Sequence, residues 1–141
     1  MSEPVRLQQE NFSQDEELRA LRAVSRRIGG IATFIGCARD FSGDREVKAI
    51  GFDAHPAMAL SELQKLRSEA IERFGLIDAR VVHRIGTVPA GDDIVFIAAA
   101  AEHRAPALQA CHWLIDGLKE RAPIWKKEIT TTGESWVTPH P

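Results

Sequence analysis

Only two of the 141 residues are cysteine, Cys37 and Cys111, and they lie far apart with no C-x-x-C pair. That excludes a disulfide-stapled scaffold and fits a chain with reduced thiols in the cytoplasm. No apolar run approaches the length of a membrane span. The stretch from Met1 to Glu10 is polar and acidic, unlike a signal sequence. Net charge is −2, so nothing argues for broad nucleic-acid or membrane-surface binding, and any anion site must be local. His55, His83, His103, His112 and His140 have no zinc-like spacing, and no metal site is expected. Repeats and low-complexity segments are also lacking. What remains is an ordinary globular composition, 44% apolar and 27% charged. Residues 1–141 are long enough to form one domain with a real core.

Periodicity places the elements. Val5 to Gln8 alternates weakly, as a short strand does. Ser13 and Glu16 form a capping box for a helix through about Ser25, with Leu18, Leu21 and Val24 as its apolar positions. Gly29-Gly30 breaks it. Ile31 to Cys37 reads as a buried strand, followed by a polar loop from Arg39 to Asp44. Val47 to Asp53 reads as a strand antiparallel to that one. Pro56 opens a long helix to Phe74, with Leu63, Leu66, Ala70 and Phe74 as its buried stripe and Gly75 as its cap. Ala79 to Ile85 and Ile94 to Ala101 are the clearest strands, joined by a turn-rich connection. Four consecutive alanines in the second imply burial on both faces or a closely packed helix. A helix spans about Arg104 to Arg121, then a strand spans Ile124 to Thr130, and Ser135 to Val137 returns as a short strand. Mixed helices and strands with short connections predict an α+β fold with a mainly antiparallel sheet and three main helices.

The stretch Leu118 to Glu128 carries the most chemistry. Leu108, Cys111, Ile115 and Leu118 recur at helical spacing, which puts Lys119 in the last helical turn. Pro123 lacks an N–H and bars Ala122 from helical dihedrals, so the helix ends there. Beyond it the period becomes two, and Ile124, Lys126 and Glu128 share one face. The corner can therefore bring Lys119 and Lys126 together with Glu128 alongside, a cluster able to bind an anion and move protons. Lysines also close helices and blunt strand edges without any function, so the cluster alone leaves both readings open. Arg39, just past a buried strand, can aim a planar fork at phosphate or carboxylate. His103-Arg104 joins an imidazole and a guanidinium to the start of a helix. Cys37 near Arg39, paired with His103, would make a thiol nucleophile, although no third group to orient the histidine is apparent. Arg104 and Lys119 are fifteen residues apart on one helix, about 22 Å at 1.5 Å per residue. If both serve one site, two subunits must share it.

The order of these features resembles the large, catalytic subunit of molybdopterin synthase. The resemblance runs from about Gly30 to Val137. It rests on Thr33-Phe34-Ile35-Gly36 followed by Arg39, on His83-Arg84-Ile85-Gly86, on Pro89-Ala90-Gly91-Asp92, on His103-Arg104, and on Lys119 to Glu128. It implies an α/β hammerhead-type fold and a homodimer within a heterotetramer. It implies a small ubiquitin-like partner that carries sulfur as a C-terminal thiocarboxylate, and a substrate, cyclic pyranopterin monophosphate, that becomes the dithiolene of molybdopterin. No cofactor is called for. By position, Lys119 and Lys126 match the catalytic lysines. Phe34, Cys37, Ala38, Arg39, His103, Arg104, Lys127 and Glu128, with the two lysines, match the substrate pocket. Two other readings compete: a non-catalytic module that binds a ubiquitin-like tail, and a hydrolase built on Cys37.

Overall fold

The computed structural model describes residues 2–137, and His140 lies outside the described residues. The elements, in chain order, are β1 (Val5–Gln8), α1 (Gln14–Arg22), β2 (Gly30–Cys37), β3 (Phe41–Ser42), β4 (Arg45–Glu46), β5 (Ala49–Ala54), α2 (Pro56–Phe74), β6 (Asp78–Arg84), β7 (Gly86–Pro89), β8 (Asp93–Ala101), α3 (Arg104–Arg121), β9 (Ile124–Thr130) and β10 (Gly133–Trp136). Two four-stranded sheets form, ordered β1-β6-β8-β2 and β10-β9-β5-β7, with β3 and β4 as a separate ribbon. Among the described residues, only the β1–β6 pairing is parallel. This is the expected α+β architecture, with mainly antiparallel sheets and, among the described residues, three helices.

The first sheet is buried on both faces, and β8 shows how. Val95, Ile97, Ala99 and Ala101 join the core under α2 and α3, while Phe96, Ala98 and Ala100 join the core under α1. The run of alanines thus serves both faces, and its small side chains let the helices approach closely. Phe96 is fully buried, which contributes on the order of 2 to 3 kcal/mol. The face of α3 follows the same logic and corrects the expected stripe. Ala107, Ala110, Cys111, Leu114, Gly117 and Leu118 are buried, whereas Leu108 is 61% exposed. The sheet selects small residues that the apolar repeat alone did not mark. At Gly117 a Cβ would stand 2.7 Å from Leu66 Cδ2, so glycine is what lets α2 and α3 touch there. The first helix also stops earlier than its apolar spacing implied, at Arg22, once Leu21 has reached the core. Val24 is left half exposed.

Two further expectations are overturned. Strand β5 does not pair with β2; it lies between β7 and β9 in the second sheet. The β3–β4 ribbon carries the chain across, closed by Val47 N–H donating to Asp40 O at 2.8 Å, with Val47 buried behind it. The connection after β6 is not wholly a turn, because Gly86 to Pro89 forms β7 opposite β5. Gly86 makes the change of sheet possible by adopting φ +82, a conformation that strains any residue with a Cβ. No helix among the described residues is long and apolar enough to cross a membrane.

Candidate active site

The corner after α3 forms as its sequence dictates. Ala122 is extended, with φ −76 and ψ 128, and its N–H still reaches Leu118 O. Pro123 follows, and β9 enters the second sheet with Lys126 opposite Phe52 of β5. Lys119 leaves the last turn of α3 and Lys126 the third position of β9, both toward the gap between the two sheets. Arg39 comes from the other side, just beyond β2. Its approach is fixed by Ala38, whose N–H donates to Asp92 O at 2.9 Å and whose carbonyl accepts from Gly91 N–H at 2.7 Å. Between them lies a cleft of about 480 Å³, with Phe34, Cys37, Arg39, His83, Lys119 and Lys126 in its walls. Phe52, Ile94, Val95, Ile115, Leu118 and Ile124 make the rest largely apolar.

Charge in this cleft is one-sided. None of Arg39, Lys119 and Lys126 has a carboxylate partner among the described residues. Burial holds the Lys126 ammonium below the usual lysine range. The Lys119 charge pushes the same way, Glu128 pulls against it, and Arg39 adds the smallest push downward. Three unpaired cations against apolar walls form an anion site in which electrostatic attraction is weakly screened.

Other residues of the expected pocket take different positions. Glu128 is buried and bound to Arg45 of β4 at 2.7 Å, so its carboxylate anchors the ribbon. Lys127 points away from the cleft, pairs with Glu134 at 3.0 Å and lies over the Trp136 ring. Ala38 is buried in the small core of the second sheet with Val47, Ile50, Phe52 and Val88. His103 and Arg104 begin α3 and do not line the cleft. The proposed thiol–imidazole pair is not assembled within one chain. Cys37 pairs with Asp93 at one end of β2 and β8, while Gly30 pairs with Ala101, next to His103, at the other. Seven residues of strand, roughly 23 Å, separate the two ends. The Cys37 thiol is exposed and lies 3.9 Å from Asp93 Oδ1.

One wall residue was not marked as a site residue by the sequence. His83 belongs to a block that carries the family resemblance, but its spacing announces no partner. Only the folded sheet sets it beside Val95 and under the end of α3, where it is 5% exposed.

Comparisons with known proteins bear on the family and the fold. The family model described as MoaE protein matches residues 7–121. The molybdopterin synthase catalytic subunit of Pseudomonas aeruginosa is 41% identical over 133 residues, covering 94% of this chain and 89% of that protein. Among solved structures, the molybdopterin biosynthesis MoaE protein from Burkholderia ambifaria superposes with a TM-score of 0.83 at 39% identity, covering 97% of this chain and 90% of that one. Molybdopterin synthase from Staphylococcus aureus superposes with a TM-score of 0.89 at 27% identity, covering 98% and 99%. A family model spanning most of the sequence, relatives matching nearly end to end, and a shared fold together place this chain in the MoaE family.

Proposed function

We propose that the chain is the catalytic subunit of a molybdopterin synthase, a sulfurtransferase. It moves sulfur from the C-terminal thiocarboxylate of a small ubiquitin-like subunit to cyclic pyranopterin monophosphate, giving the molybdopterin dithiolene. The observation that carries this reading is the cleft with Arg39, Lys119 and Lys126 as unpaired cations in largely apolar walls. Both reactants are anions. Arg39 holds the phosphate by its planar fork, and Lys119 holds the thiocarboxylate close to the carbon it attacks. Lys126 is the proton donor to the departing oxygen, because an ammonium with a lowered pKa gives up its proton more readily than a free lysine. Phe34, more than a third exposed at the rim, offers a face for the pterin ring. Ala38 and Glu128 act behind the site, one seating Arg39 and the other fastening the ribbon through Arg45. Lys127 supports the outer face of β9. His103 and Arg104 complete a site from the second copy in a homodimer, itself the centre of a heterotetramer. The reaction belongs in the cytoplasm, where Cys37 and Cys111 stay reduced.

Reconstitution tests this directly. Purified protein is mixed with a thiocarboxylated small subunit and cyclic pyranopterin monophosphate, alongside Lys119→Ala, Lys126→Ala and Cys37→Ser variants. The expected result is dithiolene from wild type and Cys37→Ser, with a loss of about 100-fold or more in either lysine variant. Partner binding without product would make the chain an interaction module instead. Loss of product in Cys37→Ser would restore the thiol mechanism.

A further inference from the structure

Every charged group in the cleft wall is a hydrogen-bond donor. Arg39, Lys119 and Lys126 have no acceptor capacity at all. His83 is different. Its Nδ1 lies 2.6 Å from the backbone carbonyl of Arg84. A carbonyl oxygen only accepts, so Nδ1 carries the proton and Nε2 keeps a lone pair. Phe52 meets the imidazole edge-on, with centroids 5.1 Å apart and planes at 80°, which fixes the ring's orientation. Burial, reinforced by the Lys119 charge, lowers the pKa to about 4 despite the bond to Arg84, so the ring is neutral at pH 7. Nε2 makes no hydrogen bond to a described residue, yet no buried side-chain nitrogen or oxygen among them is left unpartnered. Nε2 must therefore open onto the cleft that His83 lines.

We propose that His83 Nε2 is the acceptor that recognises an N–H or O–H donor on the bound substrate, and that His83 is a specificity-determining residue of this cleft. The proposal rests on the sulfur-transfer reading above and deepens it. Three cations alone bind any small anion of suitable size. A rigid lone pair among them favours an anion that also presents a donor, as a pterin phosphate does through its ring N–H groups and hydroxyls. An anion without a donor gains nothing from Nε2, which stays hydrated beside it, so the site favours the donor-bearing anion by about the worth of that one hydrogen bond.

Calorimetry on the full chain separates the two contributions, with cyclic pyranopterin monophosphate and sulfate as the probes. Sulfate carries no donor at neutral pH and reports the cation cluster alone. His83→Leu, close in size but without an acceptor, is expected to weaken pterin binding about tenfold, the loss of roughly one net hydrogen bond. Its sulfate affinity should stay within about twofold, because the cations are untouched. His83→Gln restores an acceptor and recovers part of the pterin affinity. Equal losses for both probes, or none for the pterin, would overturn the proposal. Nitrogen NMR on the wild-type protein gives a reading that needs no variant to fold. The Nε2 resonance should move when the pterin is added and stay in place with sulfate; an Nε2 resonance indifferent to the pterin sinks the idea. Wild-type protein that fails to bind the pterin removes the functional reading and this inference together. Binding that ignores His83 removes the inference alone.

Discussion

Lys126 sits half-buried in a field of like charge, and that field can be taken apart. Burial is the largest cause of its lowered pKa, Lys119 the next, and Glu128 opposes both. Lys119→Met removes one repelling charge, so the Lys126 titration should move up toward the free-lysine range, as followed by carbon NMR of its Cε; an unmoved titration would mean that the two ammonium groups do not face each other. The sign for stability follows from proton counts. Between the lowered folded pKa and the unfolded value of about 10.5, the unfolded chain binds more protons, so this lysine makes stability rise with pH across that window. Cys37 makes a second test in the same cleft. Among the described residues its thiol makes only long hydrogen-bond contacts, to Asp93 and Ile35, so Cys37→Ser should keep near-full activity while a bulky alkyl group on Cys37 blocks turnover by filling the cleft. Serine that abolishes activity would contradict this. The convergence of Lys119 and Lys126 was legible in the sequence because a helix end, a proline and a strand start are local events. The role of His83 was not, because its neutral state and its open Nε2 arise from burial between elements distant in the chain.

At the level of elements, α1 is fastened to the first sheet by one carboxylate. Glu17 accepts from Arg6 of β1 at 2.6 Å and from Arg80 of β6 at 3.0 Å, and the Glu17 and Arg80 side chains are almost fully buried. Burial raises its pKa, but the hydrogen bonds and charges of the two arginines outweigh it and leave the carboxyl below its ordinary value. The stability this gives is present above the unfolded value of about 4.5 and is lost as pH falls through the folded pKa. Glu17→Ala should cost about 3 kcal/mol at pH 7 in urea unfolding, since it strands Arg80 as a buried unpaired charge. The gap to wild type should narrow in acid. A gap that stays constant with pH would assign the loss to packing instead of charge. Sequence reading placed α2, α3, β1 and β9 to within a residue, since caps and prolines mark their ends. It mistook the pairing of β5 and did not see β7 as a strand. Period-two alternation tells which face a residue takes but not which strand lies beside it, and the transfer between sheets turns on Gly86 and on one ribbon of four paired residues.

The whole molecule poses a problem of distance. Arg104 and Lys119 stand at opposite ends of α3, an unbroken helix from Arg104 to Arg121. Fifteen residues at 1.5 Å per residue put their Cα atoms about 22 Å apart, beyond the reach of one small substrate. The cleft around Lys119 accordingly includes neither His103 nor Arg104. If Arg104 acts on the substrate, it must come from a second copy, and a two-fold pairing that runs the two α3 helices in opposite senses would set one helix start beside its mate's end. Mixing decides the matter. Arg104→Ala and Lys119→Ala are each expected to be nearly inactive as pure proteins. Unfolded and refolded together in equal amounts, half of the dimers are mixed, and each mixed dimer has one site with both residues intact and one with neither. Activity should return to about a quarter of wild type under random association. No recovery, with mixed dimers demonstrated by mass spectrometry, would show that Arg104 and Lys119 serve the same chain's chemistry separately. A fully active Arg104→Ala would remove this arginine from the reaction and leave Arg39 as the one guanidinium for the phosphate among the described residues of the cleft wall.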